Sequence, residues 1–309
     1  LIGSFDWNNV GRVFDAVKPH WQSGNCWLDM FGASVVNNTV ATGRENSFDD
    51  KTYWGDDFYG IYGHTDALPK HKWDLYALLR DKSDGAAAGP ARQIYTVGTR
   101  FATTEKMAPW DYWLEIAGQF GHIQGSGEKL FGETTDAWND HRAYAGTLGV
   151  GYTCTHDWKP RLAIEYVYAS GDDDPADGEN ETFDNLYPTN HKFYGFMDEF
   201  AWKNVHNPHL LFSVLPHKQV KIQLDENFFW LAEDRDAWYR AGQAAVRRDD
   251  TGAAGSFIGS EIDLTVSYIP HKRMKLLAGY SHFFTGVFVE DTGASSDADF
   301  AYAQMTVEL

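Results

Sequence analysis

The sequence predicts an all-β chain folded as a transmembrane antiparallel up-and-down β-barrel, and three observations predict it. Segments of roughly ten residues alternate with period two, each is apolar on one face and polar on the other, and the connections alternate strictly between short and long. No long stretch holds the i, i+3, i+4, i+7 spacing of an amphipathic helix. In order, thirteen segments lie near 12–19, 26–36, 58–65, 72–80, 93–102, 110–121, 142–153, 161–170, 206–215, 218–232, 258–268, 273–287 and 299–309. The fourth sets Trp73, Leu75, Ala77 and Leu79 against Lys72, Asp74 and Arg80, and the sixth sets Tyr112, Leu114 and Ile116 against Glu115 and Gln119. The tenth sets Val220, Ile222 and Leu224 against Lys221, Gln223, Asp225 and Asn227. The eleventh opposes Ile262, Leu264 and Val266 to Glu261, Asp263, Thr265 and Ser267.

Short connections fall at 19–25, 66–71, 103–109, 154–160, 216–217 and 270–272, and long ones at 37–57, 81–92, 122–141, 171–205, 232–257 and 288–297. In an outer-membrane barrel the short turns face the periplasm. Three of them repeat one idea: Leu68-Pro69-Lys70-His71-Lys72, Leu215-Pro216-His217-Lys218 and Ile269-Pro270-His271-Lys272-Arg273. Proline is tolerated there because ladder hydrogen bonds stop at the turn. The last strand runs toward the short-turn side, whereas residues 1–11 lie on the long-loop side. A barrel with an even strand number and both ends periplasmic therefore needs further strands upstream, and 1–309 reads as one barrel domain lacking them.

Composition narrows the function classes. With 26 Lys and Arg against 44 Asp and Glu, the net charge of −18 disfavours nucleic acid as a partner. No run approaches the ~18 apolar residues of a spanning helix. The two cysteines, Cys26 and Cys154, exclude a disulfide scaffold, and their strands are far apart in order. Nucleophile-elbow, Walker, HExxH and Rossmann patterns are absent, Gly125-Ser126-Gly127-Glu128-Lys129 being a Gly-rich loop, so the chain is read as no enzyme.

The connection 171–205 concentrates charge, with nine acidic residues against Lys192 and Lys203. At its start, Asp172, Asp174 and Asp177 offer hard oxygen ligands that would suit calcium, although the spacing is not that of an EF-hand and no cofactor is otherwise expected. A solvated acidic loop without a bound ion is the leading reading of the same residues. Further on, Phe183, Asp184, Tyr187, Asn190, His191, Tyr194 and Asp198 belong to a run so rich in aromatics that it should fold into the barrel or against its rim. These seven are the candidate gating residues.

The same run, Phe183-Asp184-Asn185-Leu186-Tyr187-Pro188-Thr189-Asn190-His191-Lys192-Phe193-Tyr194-Gly195, resembles a signature of the alginate export family of outer-membrane barrels. Phe5, Trp7, Asn9, Gly11, Arg12, Phe14 and Asp15 near the start, and Asp299-Phe300-Ala301-Tyr302 at the end, support the resemblance. It implies a barrel of about 18 strands, of which 13 or 14 are visible here, and passive export of an anionic polysaccharide through a pore lined by basic side chains. Alternation assigns Arg12, Arg80, Arg100, Arg142, Arg161, Lys221 and Lys275 to the pore lining. It also turns Asp29, Asp74, Glu115, Glu165, Asp225, Glu261 and Asp263 inward, so the lumen is mixed and departs from a strongly basic conduit. Arg235, Arg240, Arg247 and Arg248 add positive charge in a later loop.

Trp21, Trp27, Trp73, Trp110 and Trp158 fall near short turns, where an interfacial aromatic belt is expected. His20, His71, His156, His217 and His271 share those turns and read as a polar rim. The leading expectation is a polysaccharide pore whose partners are the lipid bilayer, its solute and a periplasmic partner at the short-turn side. The alternatives are a structural barrel that sheathes or anchors another protein, and a soluble all-β carbohydrate-binding protein.

Overall fold

The computed structural model describes residues 1–5, 7, 11–37, 51–83, 89–104, 109–125, 138–191 and 193–308, without the side chains of 37 and 51–54. Asn9 and Lys192 of the signature, and 126–129 of the Gly-rich loop, lie outside the described residues.

One antiparallel sheet forms the wall. Phe14–Val17 (β1) and His20–Ser23 (β2) pair with Cys26–Asn37 (β3) in a single register, so they act as one strand interrupted at Pro19. The wall continues through Lys51–Thr65 (β4), His71–Lys82 (β5), Arg92–Thr103 (β6), Trp110–Gln124 (β7), Trp138–Thr153 (β8) and Arg161–Ala169 (β9). The two residues Glu179–Asn180 (β10) pair in parallel with β8. The wall then takes in Val205–His217 (β11) and Val220–Trp230 (β12). Trp238–Tyr239 (β13) and Ala245–Arg247 (β14) make a separate ribbon. Phe257–His271 (β15), Met274–Thr285 (β16), the helix Val287–Thr292 (α1) and Ala298–Val307 (β17) complete the chain. With β1 and β2 counted together, the wall among the described residues has the thirteen strands that periodicity predicts. Among the described residues no helix is long and apolar enough to cross a membrane.

Most strand ends fall within about four residues of expectation, Trp138 in place of 142 at the start of β8 among them, and the largest difference is at β4. β4 begins at Lys51 rather than near 58, because the β3–β4 ladder resumes beyond a bulge between Ser34 and Val36. Gly55, at φ 100°, sits in the same irregular stretch and hides its period from the sequence.

Cross-strand register fixes the two faces. Leu75, Val97, Ile116, Leu148, Ile164, Leu210, Leu224 and Leu264 point outward and are exposed, as lipid-facing residues must be. Trp21, Trp73, Trp110, Tyr152 and Trp158 ring the short-turn end on that exposed side. Trp27 is a correction to the expected belt: its partner is inward-facing His64, and it stacks on His64 and Tyr62 inside the barrel.

Inside, loop 171–204 contacts Asp56 of β4, Arg80 of β5, Arg92 of β6, Gln119 of β7, Glu261 of β15, Phe283 of β16 and Tyr302 of β17. One loop reaches both flanks of the wall only if the sheet curls around it. Trp7 marks the seam, since its ring stacks on His191 of the loop and meets Tyr302 edge-on at 5.1 Å. The larger buried cluster lies between loop and wall, where Phe183, Phe200 and Trp202 pack on small inward residues Ala117, Ala143, Ala145 and Ala169.

Candidate functional site in the barrel interior

The centre of the interior is Asp184. Its carboxylate forms an ion pair with Arg92 and lies 3.6 Å from Arg80, while Leu186 donates its N–H to Oδ1 at 2.7 Å. Gln119 clamps the same residue, donating to the Asp184 carbonyl at 2.7 Å and accepting the Asp184 N–H at 2.8 Å. Burial alone would raise the Asp184 pKa, but Arg92 and Arg80 outweigh it and hold the carboxyl well below the usual range. Arg80 also donates to the Leu186 carbonyl, pairs with Asp56 at 3.3 Å, and lies 4.5 Å over the Tyr187 ring. Lys203 sits over the Tyr239 ring at 4.4 Å, its pKa lowered by burial against the pull of Asp184.

The other candidate gating residues belong to the same packed unit. Phe183 is fully buried against Trp202, and the Tyr187 hydroxyl donates to Asp56 at 2.8 Å. Asn190 bridges Asn185 and the Ala241 carbonyl, and Tyr194 is buried with its N–H on the Asn190 carbonyl. His191 is buried on Trp7, and its Nδ1 lies 3.1 Å from Asp198 Oδ1 without hydrogen-bond geometry. A second connection backs the loop: Asp236, wholly buried, accepts from Thr182, Tyr239, Arg248 and the Asp172 N–H.

The acidic start of the loop is arranged differently from the expected calcium set. Asp172, Asp173 and Glu181 bring one oxygen each within 4.8 Å of one another. Asp174 and Asp177 are spent on the turn, accepting the N–H groups of Ala176 and Glu179. Burial and the nearby charge of Asp236 push the Asp172 carboxyl up to about 7.

Of the expected pore-lining cations, Arg80, Arg100, Arg161, Lys221 and Lys275 occupy inward register positions. Arg100 meets Asp74 at 3.3 Å, Arg161 meets Asp111 at 2.5 Å, and Lys221 donates to Gln223. Arg12 precedes the wall and pins the loop, donating to the Tyr187 and Pro188 carbonyls. Arg142 is a correction: it pairs with Phe120 on the outer face, 3.9 Å from Glu179. Beneath the loop the inward positions of β8 are His141, Ala143 and Ala145, so the polar residue there is the outward one.

The rim histidines do not converge. His20 contacts Asp29, His71 contacts Tyr112, and His156, His217 and His271 each accept the backbone N–H two residues on. Among the later arginines, Arg247 caps the end of α1 at the Val289 carbonyl. Sequence reasoning missed Asp56, Arg92, Asp236 and Trp113; the only signal for Arg92 was its period-two spacing from Ile94 and Thr96.

An antiparallel wall, apolar outside and charged within, with aromatic side chains at one rim and short turns along it, defines a transmembrane β-barrel of the bacterial outer membrane. The model of the family described as Alginate export matches residues 1–303, and the chain belongs to that family. A sequence search of curated proteins finds no match. Among solved structures the chain is similar to Pseudomonas aeruginosa OccK11 (OpdR), with a TM-score of 0.53 and 12% identity over 98% of this chain and 72% of that one. The protein is a transport barrel for export, set in lipid and traversed by a polar solute.

Proposed function

We propose that the barrel passes an anionic polysaccharide outward by diffusion, and that loop 171–205 is its gate. The observation that carries this reading is the buried Asp184 between Arg80 and Arg92. With the loop seated, Asp184 answers Arg92 and shares Arg80 with Asp56 of the wall; with the loop withdrawn, Arg92 loses its carboxylate and turns to attract a passing one, while Arg80 keeps Asp56 alone. Weak, repeated contacts of that kind let a chain slide without being held. Planar-bilayer conductance of the full chain, before and after a polyuronate is added, tests it. The expected result is intermittent current that the polymer blocks; a steady current insensitive to the polymer overturns it.

A second reading, a permanently plugged barrel that anchors a periplasmic partner at the short turns, draws support from the burial of Phe183, Phe200 and Leu186. Verified insertion with no current favours that one.

A further inference from the structure

The short-turn half of the interior holds a cavity of about 950 Å³, at the upper end of the ~300–1,000 Å³ of small-ligand sites. Arg100, Asp111, Trp113 and Arg161 line it from the wall, with Lys159 at the rim. Two glycines of β8 shape it. Gly149 lies opposite Trp113, and a Cβ there would stand 2.1 Å from the indole; Gly151 lies opposite Asp111, and a Cβ there would stand 2.4 Å from Arg161 Nη2. With no side chains in the way, Trp113 lies flat across β8 and donates Nε1–H to Glu165 at 2.5 Å. Arg161 crosses the same strand to Asp111 through two hydrogen bonds, 3.0 Å from Nε and 2.5 Å from Nη2. Its guanidinium carbon is 5.8 Å from the indole centroid. Arg100, with its side chain 44% exposed, touches Asp74 through Nη1.

A half-exposed indole beside a fixed Arg–Asp pair is the chemistry of pyranose recognition: the ring offers a flat apolar face, and the pair offers donors and acceptors to vicinal hydroxyls. Arg100 has further N–H donors for a planar carboxylate. We propose that this mouth is a binding subsite for a uronate residue, with its ring stacked on Trp113, its hydroxyls on Arg161 and Asp111, and its carboxylate on Arg100. The proposal rests on the export reading and adds a place where the cargo is recognised before it meets the loop.

Calorimetry in detergent, with an alginate-derived trisaccharide and neutral cellotriose, tests the subsite without needing current. The full chain should bind the uronate more tightly than cellotriose. Trp113→Ala should weaken uronate binding about fivefold to tenfold, Trp113→Phe should retain most of it, and Arg100→Gln should abolish the preference for the acidic sugar. Arg142→Gln, on the outer face, should bind as the parent does. Uronate affinity unchanged in both Trp113→Ala and Arg100→Gln overturns the subsite, as does equal binding of the two sugars by the parent. Should Trp113→Ala not fold, Arg100→Gln decides alone. Absent current with binding intact overturns the pore reading and leaves the subsite standing.

Discussion

Asp184 and Asp172, twelve residues apart in one loop, respond to burial in opposite ways. Arg92 and Arg80 keep Asp184 charged although burial opposes it, so its pKa falls below the ordinary 3.8. The stability it contributes is present above that ordinary value and is lost as pH drops through the lower folded one. Asp172 has no such partner and rises from 3.8 to about 7. Its contribution is present below the ordinary value and is lost as pH climbs through about 7. Hydrogen exchange, corrected for intrinsic rates, should therefore show 171–182 loosening between pH 5 and pH 8 while 183–187 keeps its protection; equal change in both halves refutes the assignment. The sequence pointed to Asp184 by its neighbours' composition. Its partners could not be read there, because Arg92, Gln119 and Arg80 come from three strands that only the curled sheet brings together. Arg142 was misread for a related reason: where a loop packs against a wall, the inward residues shrink to alanine and the polar-inward rule reverses.

The wall strands were legible because each is amphipathic with period two, and lipid outside with charge inside enforces that period along most of their length. β4 escaped where its ladder is bulged. The short turns were legible as Pro-His-Lys repeats, and the structure supplies the reason: His217 and His271 accept the N–H of Gln219 and Arg273 and so close the turn. A hydrogen bond of this exposed kind contributes on the order of 1 kcal/mol at most. His217→Ala should consequently lower the thermal midpoint by only a few degrees, and zinc should not shift the midpoint of the parent. A large zinc-induced rise, lost in the variant, would show that the rim histidines gather around a metal instead.

On the gating proposal, charge and loop position are coupled across the whole molecule. With the loop seated, Arg80 answers Asp56 and Asp184, Arg92 answers Asp184, Arg100 answers Asp74, and Arg161 answers Asp111. Opposite charges so close cancel beyond a few ångströms, and salt screens the remainder over ~8 Å at physiological strength. The seated state should therefore pass little current and show little preference between anions and cations. Asp184→Asn keeps the side chain's shape but removes the charge, leaving Arg92 without its carboxylate and Arg80 with Asp56 alone of the two. Breaking one side of a buried pair costs about 3 kcal/mol or more, on the order of a hundredfold in the loop's equilibrium. Single-channel recordings of this variant should show longer open times and a shift of reversal potential toward anion selectivity, both reversed in the double variant Asp184→Asn with Arg92→Gln. Longer openings without the selectivity shift would mean that Asp184 merely holds the loop, and that the arginines it covers play no part in conduction.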